Sequence, residues 1–293
     1  MGMMIYDALV MAKIASGLPK PRKVLTLGVP TLNFSAVQFR RALNAHPDIV
    51  RTTEPLFRNF QGYKDFFHHL GFERVDALDV SNYEGADIIG DLNDPRLAQE
   101  IADQYDLVYD SGTLEHVFDA STGLRTINCL VNHSGVVLHS VPANGFMDHG
   151  FWQISPNLLR SFYQSAGFAV LTNALLTLGP KPCAFRVEEN FYRTRGRSFV
   201  SRQFSEALVI FAGRKVREVD HVRIGLQDYY AHMHQGISAE EGMEFFVSFG
   251  SPTLSRLYRS PSIAAVLSSF FAVLNHLARV KRLLLGLPDE LRS

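Results

Sequence analysis

Apolar positions fall into short runs separated by helically spaced segments. Val24-Leu25-Thr26-Leu27-Gly28 is an apolar run closed by glycine, and Phe34–Leu43 behind it carries helical spacing, so the pair predicts strand, loop, helix. Strand-like runs recur at Arg74–Val80, Ala86–Gly90, Tyr105–Asp110, Gly135–Val141, Ala169–Leu175 and Ala207–Ala212. Alternation of this kind predicts an α/β fold whose mostly parallel sheet is covered on both faces. Residues 4–18 predict a short amphipathic helix, stopped by Gly17 and the Pro19/Pro21 pair. Past about residue 215 the strand signal ends and the pattern turns helical, closing with Pro261–Leu287. The expected organisation is therefore an N-terminal helix over 1–23, a main domain over 24–215 and a helical extension over 216–293.

Composition narrows the function classes. With 293 residues and 46% hydrophobic content, the chain can bury the core of one large α/β domain plus an appendage. Lys+Arg and Asp+Glu both number 29, so there is no global basic field, and general nucleic-acid binding is disfavoured. Cys129 and Cys183 lie far apart without CxxC spacing, which argues against a disulfide scaffold or a cysteine zinc site and predicts two buried thiols. The apolar stretch near Ala8–Met11 is interrupted by Lys13 and lacks a signal-peptide layout, so a cytoplasmic location is expected.

In doubly wound sheets, ligands lie beyond the C-terminal strand ends near the topological switch. Asp79, in Leu78-Asp79-Val80-Ser81, ends the second strand where an acid accepts hydrogen bonds from ribose hydroxyls; Gly90-Asp91-Leu92 ends the third, where an adenine edge is met. Each also fits an ordinary turn or helix cap. The fourth strand carries the most specific pattern, Tyr105-Asp106-Leu107-Val108-Tyr109-Asp110 followed by Ser111-Gly112-Thr113-Leu114-Glu115-His116-Val117-Phe118-Asp119.

This stretch resembles the class I S-adenosylmethionine-dependent methyltransferases, in which the fourth strand and its turn commonly read FDLV…LEHV.D. The resemblance continues through Gly135–Pro142 and Ser155–Phe168 and covers roughly residues 24–213. Pro142-Ala143-Asn144-Gly145-Phe146-Met147-Asp148-His149-Gly150-Phe151 resembles a PANN.M.HGFYQFSP segment of a bacterial branch loosely associated with surface glycans. The resemblance implies a Rossmann-like, doubly wound, mostly parallel seven-stranded sheet with an antiparallel last strand. It also implies S-adenosylmethionine as cofactor, with Gly28, Asp79, Asp91, Leu92, Ser111, Gly112, Glu115 and His116 on the cofactor side.

Two departures stand against simple transfer of that activity. The family's glycine-rich GxGxG loop is replaced by Gly28-Val29-Pro30-Thr31-Leu32-Asn33, where only Gly28 survives and Pro30 lacks an N–H. Asp79 lies about 50 residues beyond Gly28 rather than about 20, which marks residues 44–71 as an insertion.

Methyl transfer from a sulfonium needs alignment and, for a hydroxyl acceptor, a base. His149, after the fifth strand with Asp148 beside it, is the first candidate base, and His116 the second. A loop histidine bound to backbone is the plain alternative for His149. His68-His69 and the other histidines lack metal-ligand spacing with a carboxylate, so no metal site is expected, and no GxSxG elbow appears.

Arg186, Arg193, Arg195, Arg197 and Arg202, interleaved with Phe185, Phe191, Tyr192 and Phe199, suit either a phosphate- or carboxylate-bearing acceptor or a solvated loop. Ile263–Leu274, followed by Arg279, Lys281 and Arg282, is too short to span a membrane. It suits peripheral contact with the inner membrane face, core packing or a homodimer. Three functions stay open: a methyltransferase acting on a small-molecule or glycan acceptor, a non-catalytic binding or scaffold protein on the same fold, and a nicotinamide oxidoreductase. The last expects a GxGxxG loop that this chain lacks.

Overall fold

A computed structural model describes residues 2–20, 22–50, 60–178, 182–187, 206–219, 222, 243–250 and 273. The strands are β1 (Lys23–Leu27), β2 (Arg74–Asp79), β3 (Ile88–Ile89), β4 (Tyr105–Asp110), β5 (Val131–Asn144), β6 (Phe168–Thr177), β7 (Cys183–Arg186) and β8 (Ala207–Lys215). Helices α1 (Ile5–Ser16), α2 (Ala36–Asn44), α3 (Pro47–Val50), α4 (Gly62–His69), α5 (Leu97–Glu100), α6 (Ala120–Leu130) and α7 (Pro156–Ser165) are joined by a 3-10 turn at Leu114–His116.

The strands form one sheet in the order β3-β2-β1-β4-β5-β8-β6-β7. Strands β1 to β5 pair in parallel, and β8 inserts antiparallel between β5 and β6. This is a Rossmann-like doubly wound α/β sheet. The count is eight rather than the expected seven, because β7 folds back antiparallel on β6 through Ala174–Arg186 to Thr177–Cys183. Four residues are too few for a hydrophobic period to reveal, and pairing with a neighbour decides their state.

Alternation along the strands builds a core on each face. Leu107 and Tyr109 of β4, with Leu208, Ile210 and Ala212 of β8, face the layer of α1, α2 and α4. Val108, Val209 and Phe211 face the layer of α6 and α7. The expected insertion at 44–71 contributes to the first core: Phe66 and Phe67 of α4 are buried, and Phe66 meets Phe34 and Phe39 edge-on at 5.5 and 5.3 Å.

Helix α1 departs from the amphipathic expectation. Nine of its twelve residues are buried, including Leu9, Val10 and Met11. The cause lies at the other end of the chain, where residues 243–250 cover its outer face. Tyr6 Oη donates to Val247 O at 2.8 Å, and Tyr6 meets the Phe249 ring at 5.5 Å. The Phe245 N–H donates to Leu171 O at 2.9 Å, so this part of the expected helical extension runs against β6 instead. The rest of that extension, including nearly all of Ile263–Leu274 and its basic residues, lies outside the described residues. No described helix is long and apolar enough to cross a membrane. Of the two thiols, Cys183 is buried as expected, whereas Cys129 is exposed on α6.

Candidate functional site

Strand order reverses between β1 and β4, and the loops leaving β1, β2, β3 and β4 surround a cleft of about 410 Å³ there. Gly28, Asp79, Asp91, Leu92, Ser111, Gly112 and His116 all line it. Gly28 has φ +74°, and a Cβ on it would stand 3.1 Å from Thr113 Oγ1 and 3.9 Å from Asp79 Oδ2. Asp79 Oδ1 accepts the Ser81 N–H at 2.9 Å, which leaves Oδ2 over the Gly28 floor. Asp91 Oδ1 accepts from both Asn93 N and Asn93 Nδ2 at 2.8 Å, while Asn93 Oδ1 caps the approach to α6 by accepting the Asp119 N–H.

The β1 loop is held by the N-terminus. Met3 N–H donates to Thr31 O at 2.8 Å and Met3 O accepts the Asn33 N–H at 2.9 Å, a one-bridge extension of the sheet pattern. The Gly28 N–H is itself engaged by Leu78 O at 2.7 Å. Neither Gly28 nor Pro30 thus offers a backbone donor to the cleft.

The turn after β4 is fixed from below by a buried polar chain. Asp110 Oδ1 accepts the Thr113 N–H at 2.8 Å, and Thr113 Oγ1 donates to Leu27 O at 2.8 Å, tying β4 to β1. Asp110 Oδ2 pairs with His139 Nδ1 at 2.8 Å, and His139 Nε2 with Tyr163 Oη at 2.7 Å. All three side chains are fully buried, so this Asp-His-Tyr chain is a brace between β4, β5 and α7 rather than a solvent-facing catalytic set.

Glu115 does not line the cleft wall. The 3-10 turn points it inward, fully buried, and neither carboxylate oxygen has a hydrogen-bond partner among the described residues. Burial, reinforced by the nearby Asp110 carboxylate, pushes its pKa up to about 8. The loop following β5 lies directly on it: the Trp152 N–H donates to Glu115 O at 3.2 Å, and a Cβ on Gly150 would stand 2.8 Å from that oxygen. Only glycine fits there. The same loop brings His149 Nε2 to 3.8 Å from Glu115 Oε1, and His116 Nε2 stands 3.9 Å from the same atom. The imidazoles are 5.1 Å apart between centroids. Burial and the His149 ring lower the His116 pKa, favouring neutral imidazole.

The acidic neighbour of His149 is therefore Glu115, 34 positions away, and not the adjacent Asp148, whose backbone turns through φ +64°. Spacing along the chain offered no metal-ligand set, yet the fold gathers Glu115, His116 and His149 with their ligand atoms within 4.8 Å of one another. His68 and His69 meet backbone carbonyls through Nδ1, Phe72 O and Asp65 O, at 2.8 and 2.7 Å. Beside the cluster, Phe118, Met147 and Phe151 are exposed at 70, 85 and 65%, with Phe118 and Phe151 packed edge-on at 5.5 Å. These apolar groups went unremarked in sequence, where nothing distinguishes them from core residues. Arg193, Arg195, Arg197 and Arg202 lie outside the described residues; Arg186 is exposed on β7, over the Phe246 ring.

No family model matches the chain, and no curated protein matches it. Among solved structures it is similar to YcgJ of Bacillus subtilis, at 10% identity over 72% of this chain and 99% of that one, with a TM-score of 0.41. TehB of Haemophilus influenzae matches at 15% identity over 72% of this chain and 62% of that one, TM-score 0.38. The N-methyltransferase NodS of Bradyrhizobium japonicum, solved with S-adenosyl-L-homocysteine, matches at 10% over 71% and 84%, TM-score 0.36. The fold assignment rests on the strand order and register of this chain's own sheet. By these, the chain has a Rossmann-like, doubly wound α/β fold with antiparallel last strands.

Proposed function

We propose that the cleft binds S-adenosylmethionine and that the chain transfers its methyl group to a small-molecule or glycan-type acceptor. The single observation carrying this reading is Asp79 Oδ2 over the Gly28 floor at the switch point, where a ribose diol would find its acceptor. Asp91, Leu92 and Asn93 offer the base an apolar wall and polar edge, and Ser111, Gly112 and His116 close the far side. These residues fit the nucleoside half of the cofactor. The methionine half finds fewer backbone donors, because Gly28 N–H is engaged and Pro30 has none.

Bound there, the cofactor supplies an electrophilic methyl on a sulfonium. The chain's part is to hold the acceptor in line and take its proton. His149, partly exposed beside His116 with Glu115 behind it, is the imidazole base offered to an acceptor, and the Phe118–Phe151 pair offers that acceptor an apolar face.

Calorimetric titration with S-adenosylhomocysteine tests the reading. Binding in the wild type, weakened about 10- to 100-fold in Asp79→Ala, is expected from loss of charge-assisted hydrogen bonds. No binding by folded protein at millimolar ligand sinks it. That outcome would favour the second reading, a binding or scaffold protein, which the engaged and proline-interrupted β1 loop specifically supports.

A further inference from the structure

A carboxylate that is fully buried yet makes no hydrogen bond is costly unless something charged completes it. Glu115 is such a group among the described residues, and two imidazoles of those residues face it. They come from different places: His116 from the same turn, His149 from a loop held down by Gly150 and by Trp152, whose Nε1 donates to Val117 O at 3.0 Å. Both Nε2 atoms converge on one oxygen, Glu115 Oε1, at 3.9 and 3.8 Å. These distances are too long for hydrogen bonds.

They are close to what a shared cation requires. Three N and O ligands at about 2.1 Å from one ion stand about 3.0–3.5 Å apart, and the three ligand atoms here lie within 4.8 Å of one another, so closure asks the rings to move by about an ångström. Glu115 is fully buried, whereas both imidazoles are partly exposed. Two histidines and one carboxylate form a donor set suited to divalent first-row transition ions with coordination positions left open.

We propose that Glu115, His116 and His149 form a binding site for one divalent first-row transition-metal ion, with its open positions turned toward an oxygen of the acceptor. His116 also lines the cofactor cleft, so the ion sits at the cleft's edge, beside the exposed Phe118 and Phe151 rings. The acceptor is then a hydroxyl compound: the ion lowers the pKa of a ligated hydroxyl, whose proton passes to solvent, and His149 serves as ligand in place of base. The acceptor role rests on the methyltransferase reading; the metal site itself does not.

The test uses the tag-free full chain, stripped with chelator and titrated with Co²⁺ alone and Zn²⁺ alone by calorimetry, with the visible absorption of bound cobalt as a second readout. One equivalent per chain is expected. His149→Ala and Glu115→Gln should each weaken it by more than about 100-fold, beyond the 10- to 100-fold typical of outer-sphere partners. His133→Ala, an exposed histidine elsewhere, should leave it unchanged. Melting each variant guards against misfolding, and Glu115→Gln is expected to melt higher than wild type because it removes a buried unpaired carboxylate. No saturable binding, or equal affinity in the wild type and both ligand variants, overturns the proposal. Titrating the same chelator-treated protein with S-adenosylhomocysteine separates the two readings. Metal without nucleoside binding supports the site while removing its methyl-transfer role, and nucleoside without metal binding overturns the site alone.

Discussion

The molecule holds two buried carboxylates five residues apart, each met by histidine, and they are built to opposite rules. Asp110 spends both oxygens at hydrogen-bond distance, on the Thr113 N–H and on His139, whose far nitrogen meets Tyr163. Glu115 spends neither on a described residue, and its histidines stand 3.8 and 3.9 Å off. A satisfied buried network specifies one geometry and stabilises it; an unsatisfied one raises the free energy of the fold and persists where a ligand offsets the cost. The first fixes the turn, and the second is presented by it.

Substitutions that neutralise or remove each carboxylate should move stability in opposite directions. Asp110→Ala leaves His139 Nδ1 and the Thr113 N–H without partners and is expected to cost about 2–5 kcal/mol in denaturant unfolding. An unchanged midpoint would dissolve the distinction drawn between the two clusters. A third buried carboxylate, Asp7 in α1, sharpens the point. Burial raises its pKa to about 6, although Oδ2 accepts from Met4 N–H and Tyr109 Oη. Because the folded value lies above the unfolded one, the stability it allows is fully present below about pH 4 and is lost as pH rises through 6. Asp7→Asn should therefore gain up to about 3 kcal/mol at pH 7 and nothing near pH 3.5, read from paired unfolding curves.

Tyr163→Phe removes only the last link of the closed chain. About 1–2 kcal/mol should be lost, since His139 Nε2 is left without its partner. Were the loss to exceed that of Asp110→Ala, the brace would be anchored at α7 rather than at β4. The smallest effect is expected at the rim, where Phe118→Ala should alter stability by no more than about 0.5 kcal/mol, the side chain being largely exposed. A large loss would show that the aromatic pair holds the turn rather than offering a surface to a ligand.

Runs of alternating and helical apolar spacing were enough to determine the α/β sheet, the positions of seven strands and the cleft residues at their ends, because these follow from local periodicity and from where a doubly wound sheet must bind. Asp79 and Asp91 were legible on that ground, whereas Gly28 and the Ser111–Gly112 turn were pointed to by the resemblance of the fourth-strand stretch and the first loop. Tertiary structure alone decided the rest. The outer face of α1 is buried because residues 243–250 return to cover it, a contact with no local signature. The pairing of Glu115 with His149 depends on a glycine, Gly150, letting one loop rest on another. Separation along a chain says nothing of such an approach, and whether a buried charge has a partner is settled only by the atoms that surround it.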